Sequence, residues 1–73
     1  MNLQKYDQAL TYYQKAIELN PNDADVYANL GFIYLSLSQR QKALENFLKA
    51  RELHKNAGNN QAVQQIEQIL NKM

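Results

Sequence analysis

Residues 24–50, ADVYANLGFIYLSLSQRQKALENFLKA, decide how this chain folds. Apolar side chains recur every three or four positions in both halves of the stretch, as they do along one face of an α-helix. The positions that carry the pattern are Tyr27, Leu30, Gly31 and Tyr34, followed by Ala43, Phe47 and Ala50. The stretch therefore predicts two helices joined by a short turn.

The second of these helices repeats a segment that lies 34 residues earlier in the chain. The matching positions are Ala9, Leu10, Tyr13, Lys15, Ala16, Glu18 and Leu19, which recur as Ala43, Leu44, Phe47, Lys49, Ala50, Glu52 and Leu53. This period, together with the aromatic, Leu-Gly, Tyr and Ala spacing of residues 27–50, resembles the tetratricopeptide repeat family. The resemblance implies an all-α fold of antiparallel helix-turn-helix repeats, a fragment of an α-solenoid.

We expect four helices in a single domain over residues 1–73. The first, 6–20, is the second helix of a partial repeat, and residues 23–54 form a complete repeat with helices over about 23–37 and 39–54. A loop at 55–59 departs from the family pattern. Residues 60–72 form an amphipathic helix that matches the helix at 23–37 only if two additional loop residues are allowed, and in the family such a helix caps the stack.

Local signals mark the ends of the helices. Asn20, in a left-handed conformation, and Pro21 should end the first helix, because proline cannot continue it. Asn22 and Asp23 should supply the side-chain oxygens that cap the next helix. Ser38 with Gln41 has the pattern of a capping box for the third. Gly31 in mid-helix predicts close approach by a neighbouring helix, with Ala43 as its expected contact.

Composition limits the classes of function. The 73 residues carry eight Lys and Arg against seven Asp and Glu, a net charge of +1 that does not favour nucleic acid as a partner. There is no cysteine, so we expect no thiolate metal site and a cytoplasmic protein. The chain has neither a spanning apolar segment nor a signal peptide, and no membrane partner is expected.

Reactive side chains do not converge in the sequence. His54 is the only histidine, and near the end of the third helix we expect it to be a surface residue that interacts with the helix dipole. Thr11, Ser36 and Ser38 have no base at helical spacing, so we assign no catalytic, cofactor or metal residue. The basic residues between Arg40 and Lys55 point in different directions and predict a solvated surface.

Proteins of the tetratricopeptide repeat family are typically scaffolds that bind a peptide or a partner helix along a concave surface. The candidate contact residues are Asp25, Ala28, Asn29, Phe32 and Ser36, on the outward face of the helix at 23–37. Phe32 either contacts a partner or is covered by the following helix. Asn29 matches the asparagine of the subfamily that clamps a peptide's C-terminal carboxylate, but no basic residue joins it, so carboxylate clamping is disfavoured.

The first helix lacks the helix that would precede it in a whole repeat. Its apolar stripe, Tyr6, Leu10, Tyr13 and Ile17, predicts self-association, by an isologous pair, by helix exchange, or by stacking of one chain's last helix on the next chain's first. Alternatively, the chain is part of a longer repeat array. The leading prediction is a non-catalytic protein-interaction module; the second is a self-assembling structural fragment without a separate ligand, and an enzyme is a distant third.

Overall fold

The structure is a computed structural model that describes residues 3–73, with side chains described from Lys5 onward. The described residues form four α-helices: α1 (Leu3–Leu19), α2 (Ala24–Ser36), α3 (Arg40–Asn56) and α4 (Asn60–Lys72). Each helix packs against the next one along the chain, and the packing of α2 on α3 is the most extensive. This is the all-α arrangement that the repeat pattern predicts.

The helix bounds agree with the sequence closely, apart from α1. It begins at Leu3, three residues before the predicted start at Tyr6. Residues 3–5, which precede the predicted start, are therefore helical, and residues 1–2 lie outside the described part. The helix α4 has the predicted bounds, and α3 ends at Asn56, two residues beyond the predicted His54.

The turn between α1 and α2 is built differently from the prediction. Asn20 is not left-handed; Ser38 is the one non-glycine residue with a positive φ among those described. Instead, Asn20 opens a β-turn with Pro21 as its second residue, and the Asp23 N–H donates to the Asn20 carbonyl at 3.3 Å. Of the two predicted caps, Asp23 is the N-cap of α2, because its Oδ1 accepts the Asp25 N–H at 3.1 Å. Asn22 is not a cap: it lies in the turn, where its N–H faces Asn20 Oδ1 at 3.4 Å.

The turn between α2 and α3 contains no capping box. The N-cap of α3 is Gln39, without a side-chain hydrogen bond, and Ser38 ends α2 at a φ of 61°. The Gln39 N–H donates to the Tyr34 carbonyl at 2.8 Å and the Ser38 N–H to that of Leu35 at 3.0 Å, which is a Schellman motif. The predicted pair of Ser38 and Gln41 is thus wrong, because the left-handed backbone commits Ser38 to the preceding helix.

Gly58 closes α3 in the same way. Its φ is 79°, the Asn59 N–H donates to the His54 carbonyl at 2.8 Å, and the Gly58 N–H donates to that of Lys55 at 3.1 Å. Both connections between consecutive helices after α2 therefore reverse the chain within three residues, and they hold the helices antiparallel.

The core lies between α2, α3 and α4. Its buried apolar members are Val26, Leu30, Ala43, Phe47, Ala50 and Ile66. Gly31 is also buried, but the side chain against it is Phe47 and not the predicted Ala43. A Cβ on Gly31 would lie 2.8 Å from three atoms of the Phe47 ring, so an aromatic side chain fills the space that the glycine leaves.

The end of the stack at α4 carries charged side chains. The helices α2 and α4 have equal lengths and begin 36 residues apart. Aligned from their first residues, they place Glu67 of α4 at the position of Gly31 in α2. The 34-residue period places Arg51 in α3 where Ile17 lies in α1. Arg51 and Glu67 line a space beside Leu48, Glu52 and Lys55. The surface at which a further second helix would stack is therefore charged.

Candidate functional site

A groove runs between α2 and α4 with α3 as its floor. Its volume is about 170 Å³, close to the roughly 150 Å³ of a cavity that holds benzene. The wall from α2 consists of Asp25, Ala28 and Phe32; the floor of Phe47 and His54; and the wall from α4 of Ala62, Gln65, Ile66 and Ile69. Helical spacing explains the lining, since positions three, four and seven apart share one face of a helix.

Two cross-helix contacts define the ends of the groove. At one end the Phe32 ring meets the Phe47 ring edge to face, with centroids 5.1 Å apart. At the other, Asp25 Oδ1 lies 3.5 Å from His54 Nε2. Phe32 follows Asp25 by seven residues and His54 follows Phe47 by seven, so the antiparallel helices make an aromatic end and a polar end about 10 Å apart, at 1.5 Å per residue.

His54 is not the surface residue that was predicted. His54 is 8% exposed, and Asn59 Nδ2 lies 3.3 Å from His54 Nδ1. The two ring nitrogens of His54 therefore face different groups: Nδ1 faces the Asn59 amide and Nε2 faces the Asp25 carboxylate. The seven-residue spacing from Phe47 is the signal that could have placed His54 on the buried face of α3.

The predicted partner-binding residues divide into two groups. Asp25, Ala28 and Phe32 line the groove, whereas Asn29 and Ser36 are exposed on α2 outside its lining. Phe32 remains 48% exposed, so the following helix does not cover it fully. The pattern of a single helix could not supply the contributions of α3 and α4, because those depend on how the helices pack.

The predicted self-association residues, Tyr6, Leu10, Tyr13 and Ile17, are half-buried along α1. More exposed apolar side chains lie beside them on the same helix: Tyr12 is 71% exposed and Leu19 is 81% exposed. Tyr12 and Leu19 line a shallow apolar surface with Thr11, Lys15 and Ala16. The structure thus has two candidate surfaces, one in the groove and one on α1.

Neither a metal site nor a membrane-spanning helix is found in residues 3–73. This part of the chain contains no group of three His, Cys, Asp or Glu residues arranged to hold a metal ion. None of its helices is long and apolar enough to cross a membrane.

Comparison with known proteins places the chain among repeat proteins. A TPR repeat family model matches residues 1–38, just over half of the chain, and a tetratricopeptide repeat model matches residues 24–57. No solved structure is significantly similar.

Three curated relatives share short segments with the chain. The Hsp70-Hsp90 organizing protein of Triticum aestivum is 40% identical over 50 residues, 68% of this chain and 9% of the relative. The Hsp70-Hsp90 organising protein of Plasmodium falciparum is 38% identical over 48 residues, 66% of this chain and 8% of the relative. The BBSome complex member BBS4 of Bos taurus is 40% identical over 40 residues, 55% of this chain and 8% of that protein.

The two family models together cover α1, α2 and α3, the helices that carry the sequence pattern. The chain spans less than a tenth of the length of each of these relatives, so the similarity concerns the repeat and not the whole proteins. The repeat is a non-catalytic protein-interaction fold. The chain therefore belongs to the tetratricopeptide repeat family and is a protein-interaction module built from that repeat.

Proposed function

We propose that the chain binds a peptide segment or a partner helix of another protein in the groove between α2 and α4. The observation that carries the proposal is Phe32, a large apolar side chain that is 48% exposed at the aromatic end of a concave apolar groove. Ligand sites are typically concave and mostly apolar with a few polar groups, and this groove has that composition. Asp25 and Ala28 continue the contact surface along α2, and we place Asn29 and Ser36 at its rim.

Two of the relatives are named for organising Hsp70 and Hsp90. Their names support a protein as the class of partner. We do not extend those particular partners to this chain, because it spans only 8 to 9% of their length.

The test is selection of peptides from a random peptide library displayed on phage, followed by affinity measurements on the selected peptides. We expect Phe32→Ala to weaken binding about tenfold or more, as loss of a buried aromatic anchor does. The matched control is Tyr12→Ala, which removes an exposed aromatic side chain outside the groove. Gln65→Trp should also weaken binding, because it fills the groove from an exposed position on α4.

Circular dichroism separates lost binding from lost folding in each variant. If peptides bind Phe32→Ala and Gln65→Trp as tightly as the unmodified chain, the groove is not the binding site and the proposal fails.

A second candidate function is self-association through α1. Tyr13 and Ala16 are half-buried, whereas Phe47 and Ala50, their equivalents 34 residues later, are fully buried. The difference supports an apolar surface on α1 that another helix would cover, either from a second copy of this chain or from a longer array. Tyr6, Leu10 and Ile17 extend this surface.

Sedimentation over a wide range of concentrations tests self-association. We expect a concentration-dependent dimer that Leu19→Glu and Tyr13→Glu weaken, with Gln14→Glu as a control at an exposed position of the same helix. A chain that is folded and monomeric throughout the range would count against this candidate.

A further inference from the structure

We infer that the groove selects a peptide in which an apolar side chain and a Lys or Arg lie about three positions apart, with Asp25 as the counter-charge of the cation. The inference rests on the proposed function of the groove and adds the chemistry of its partner. It depends on the charges of the lining and on the distance between the two ends of the groove.

Apart from His54, the lining of the groove carries charge of one sign. Of the nine lining side chains found in residues 3–73, Asp25 is the only carboxylate and none is Lys or Arg. Arg51 and Lys55 line a different space, together with Glu67. A positively charged side chain of a partner therefore meets an attractive field in the groove, and a carboxylate meets a repulsive one.

The Asp25 carboxylate is available to a partner. Its side chain is 86% exposed, and its Oδ1 lies 3.5 Å from His54 Nε2. The carboxylate therefore lies at the polar end of the groove and is accessible to a positively charged side chain of a partner.

The spacing follows from the geometry of α2. Asp25 and Phe32 are seven residues apart on one face of the helix, which separates them by about 10 Å at 1.5 Å per residue. An extended peptide covers that distance in about three residues, at roughly 3.3 Å per residue. The apolar side chain would then lie against Phe32 and Ile69, while the cation reaches Asp25.

The experiment uses the same displayed library on the unmodified chain and on Asp25→Asn, which keeps the shape of the side chain and removes its charge. Peptides selected by the unmodified chain should carry Lys or Arg about three positions from an apolar residue. Asp25→Asn should keep the apolar preference, lose the basic one, and bind the original peptides about two- to fivefold more weakly, the size of an exposed ion pair. Glu67→Gln, outside the groove, is the matched control.

The outcomes are distinguishable. Peptides that depend on Phe32 but show no basic preference, or that bind Asp25→Asn equally well, would overturn the inference and leave the proposed function standing. Selected peptides that do not depend on Phe32 would overturn both. Binding of the basic peptides that weakens as salt concentration rises, and that stops responding to salt in Asp25→Asn, would support the ion pair.

Discussion

Gly31 of α2 and the Phe47 ring of α3 are in direct contact: a Cβ on Gly31 would lie 2.8 Å from three atoms of that ring. Such a distance is too short for two carbon atoms. The aromatic ring, fully buried, thus depends on the absence of a side chain on the neighbouring helix. This contact joins the two helices of the complete repeat.

We predict that Gly31→Ala lowers the free energy of unfolding. Alanine favours a helix interior over glycine by about 1 kcal/mol, but overpacking a tight core costs about 1–3 kcal/mol. The net loss should be about 1 kcal/mol, measured by urea denaturation. Asn29→Ala is the control, since it improves helix propensity at an exposed position of α2 and should gain about 0.5 kcal/mol. A more stable Gly31→Ala chain would contradict the contact.

Phe47 and Tyr13 occupy equivalent positions of the repeat but should respond differently to truncation. Phe47 is fully buried, and its replacement by Ala should cost about 3–5 kcal/mol. Tyr13 is half-buried, so Tyr13→Ala should cost only about 1–2 kcal/mol.

Thermal and urea unfolding of the two variants check this order. Where Phe47→Ala does not fold, Phe47→Leu and Tyr13→Leu provide the same comparison with smaller losses. Equal losses at the two positions would mean that α1 is as well covered as α3.

Ser38 has the backbone conformation of a glycine, and we predict that Ser38→Gly stabilises the chain. A left-handed conformation costs a non-glycine residue about 1–2 kcal/mol, and the added freedom of glycine in the unfolded chain takes back part of this. The expected gain is about 0.5–1 kcal/mol, seen as a higher midpoint of unfolding.

Gly58 provides the reciprocal control, because it has the same position in the Schellman motif after α3 with a φ of 79°. Gly58→Ser should destabilise by about 1 kcal/mol. Opposite signs for the two substitutions would confirm that both turns demand the left-handed backbone.

The two helix N-termini of the complete repeat should differ in their dependence on side-chain caps. Asp23→Ala removes the hydrogen bond from Asp25 N–H and should cost about 1 kcal/mol, within the usual 0.5–2. Gln41→Ala should change stability by less than about 0.5 kcal/mol, because α3 has no side-chain cap. A large loss in the free energy of unfolding for Gln41→Ala, measured by urea denaturation, would support the capping box after all.

Features that repeat along the chain were accessible from the sequence. The periodic apolar positions predicted all four helices, and the 34-residue register predicted that Phe47 and Ala50 belong to a layer like that of Tyr13 and Ala16. The bounds of α4 followed from its stripe and from the loop around Gly58. These features depend on local spacing, which a sequence records directly.

Features that depend on a third helix were not accessible in the same way. Gly31 has two possible neighbours on α3, and only the packing decides for Phe47 over Ala43. His54 lies near a helix end, where exposure is the usual outcome, yet α4 and Asp25 enclose it. The six lining residues of α3 and α4 were missed for this reason, although the three of α2 were predicted.

The charged end of the stack gives the molecule a direction. The second helix of the repeat, α3, packs on α2 at Gly31. A second helix that packed on α4 in the same way would bury Glu67 beside Arg51, and burying charge is costly. Two copies could join by an isologous pair, by helix exchange, or by stacking of one chain's α4 on the next chain's α1. The burial of Glu67 and Arg51 disfavours the stacking arrangement. Where two copies associate, we therefore expect them to pair through their α1 surfaces, which closes the assembly at two chains.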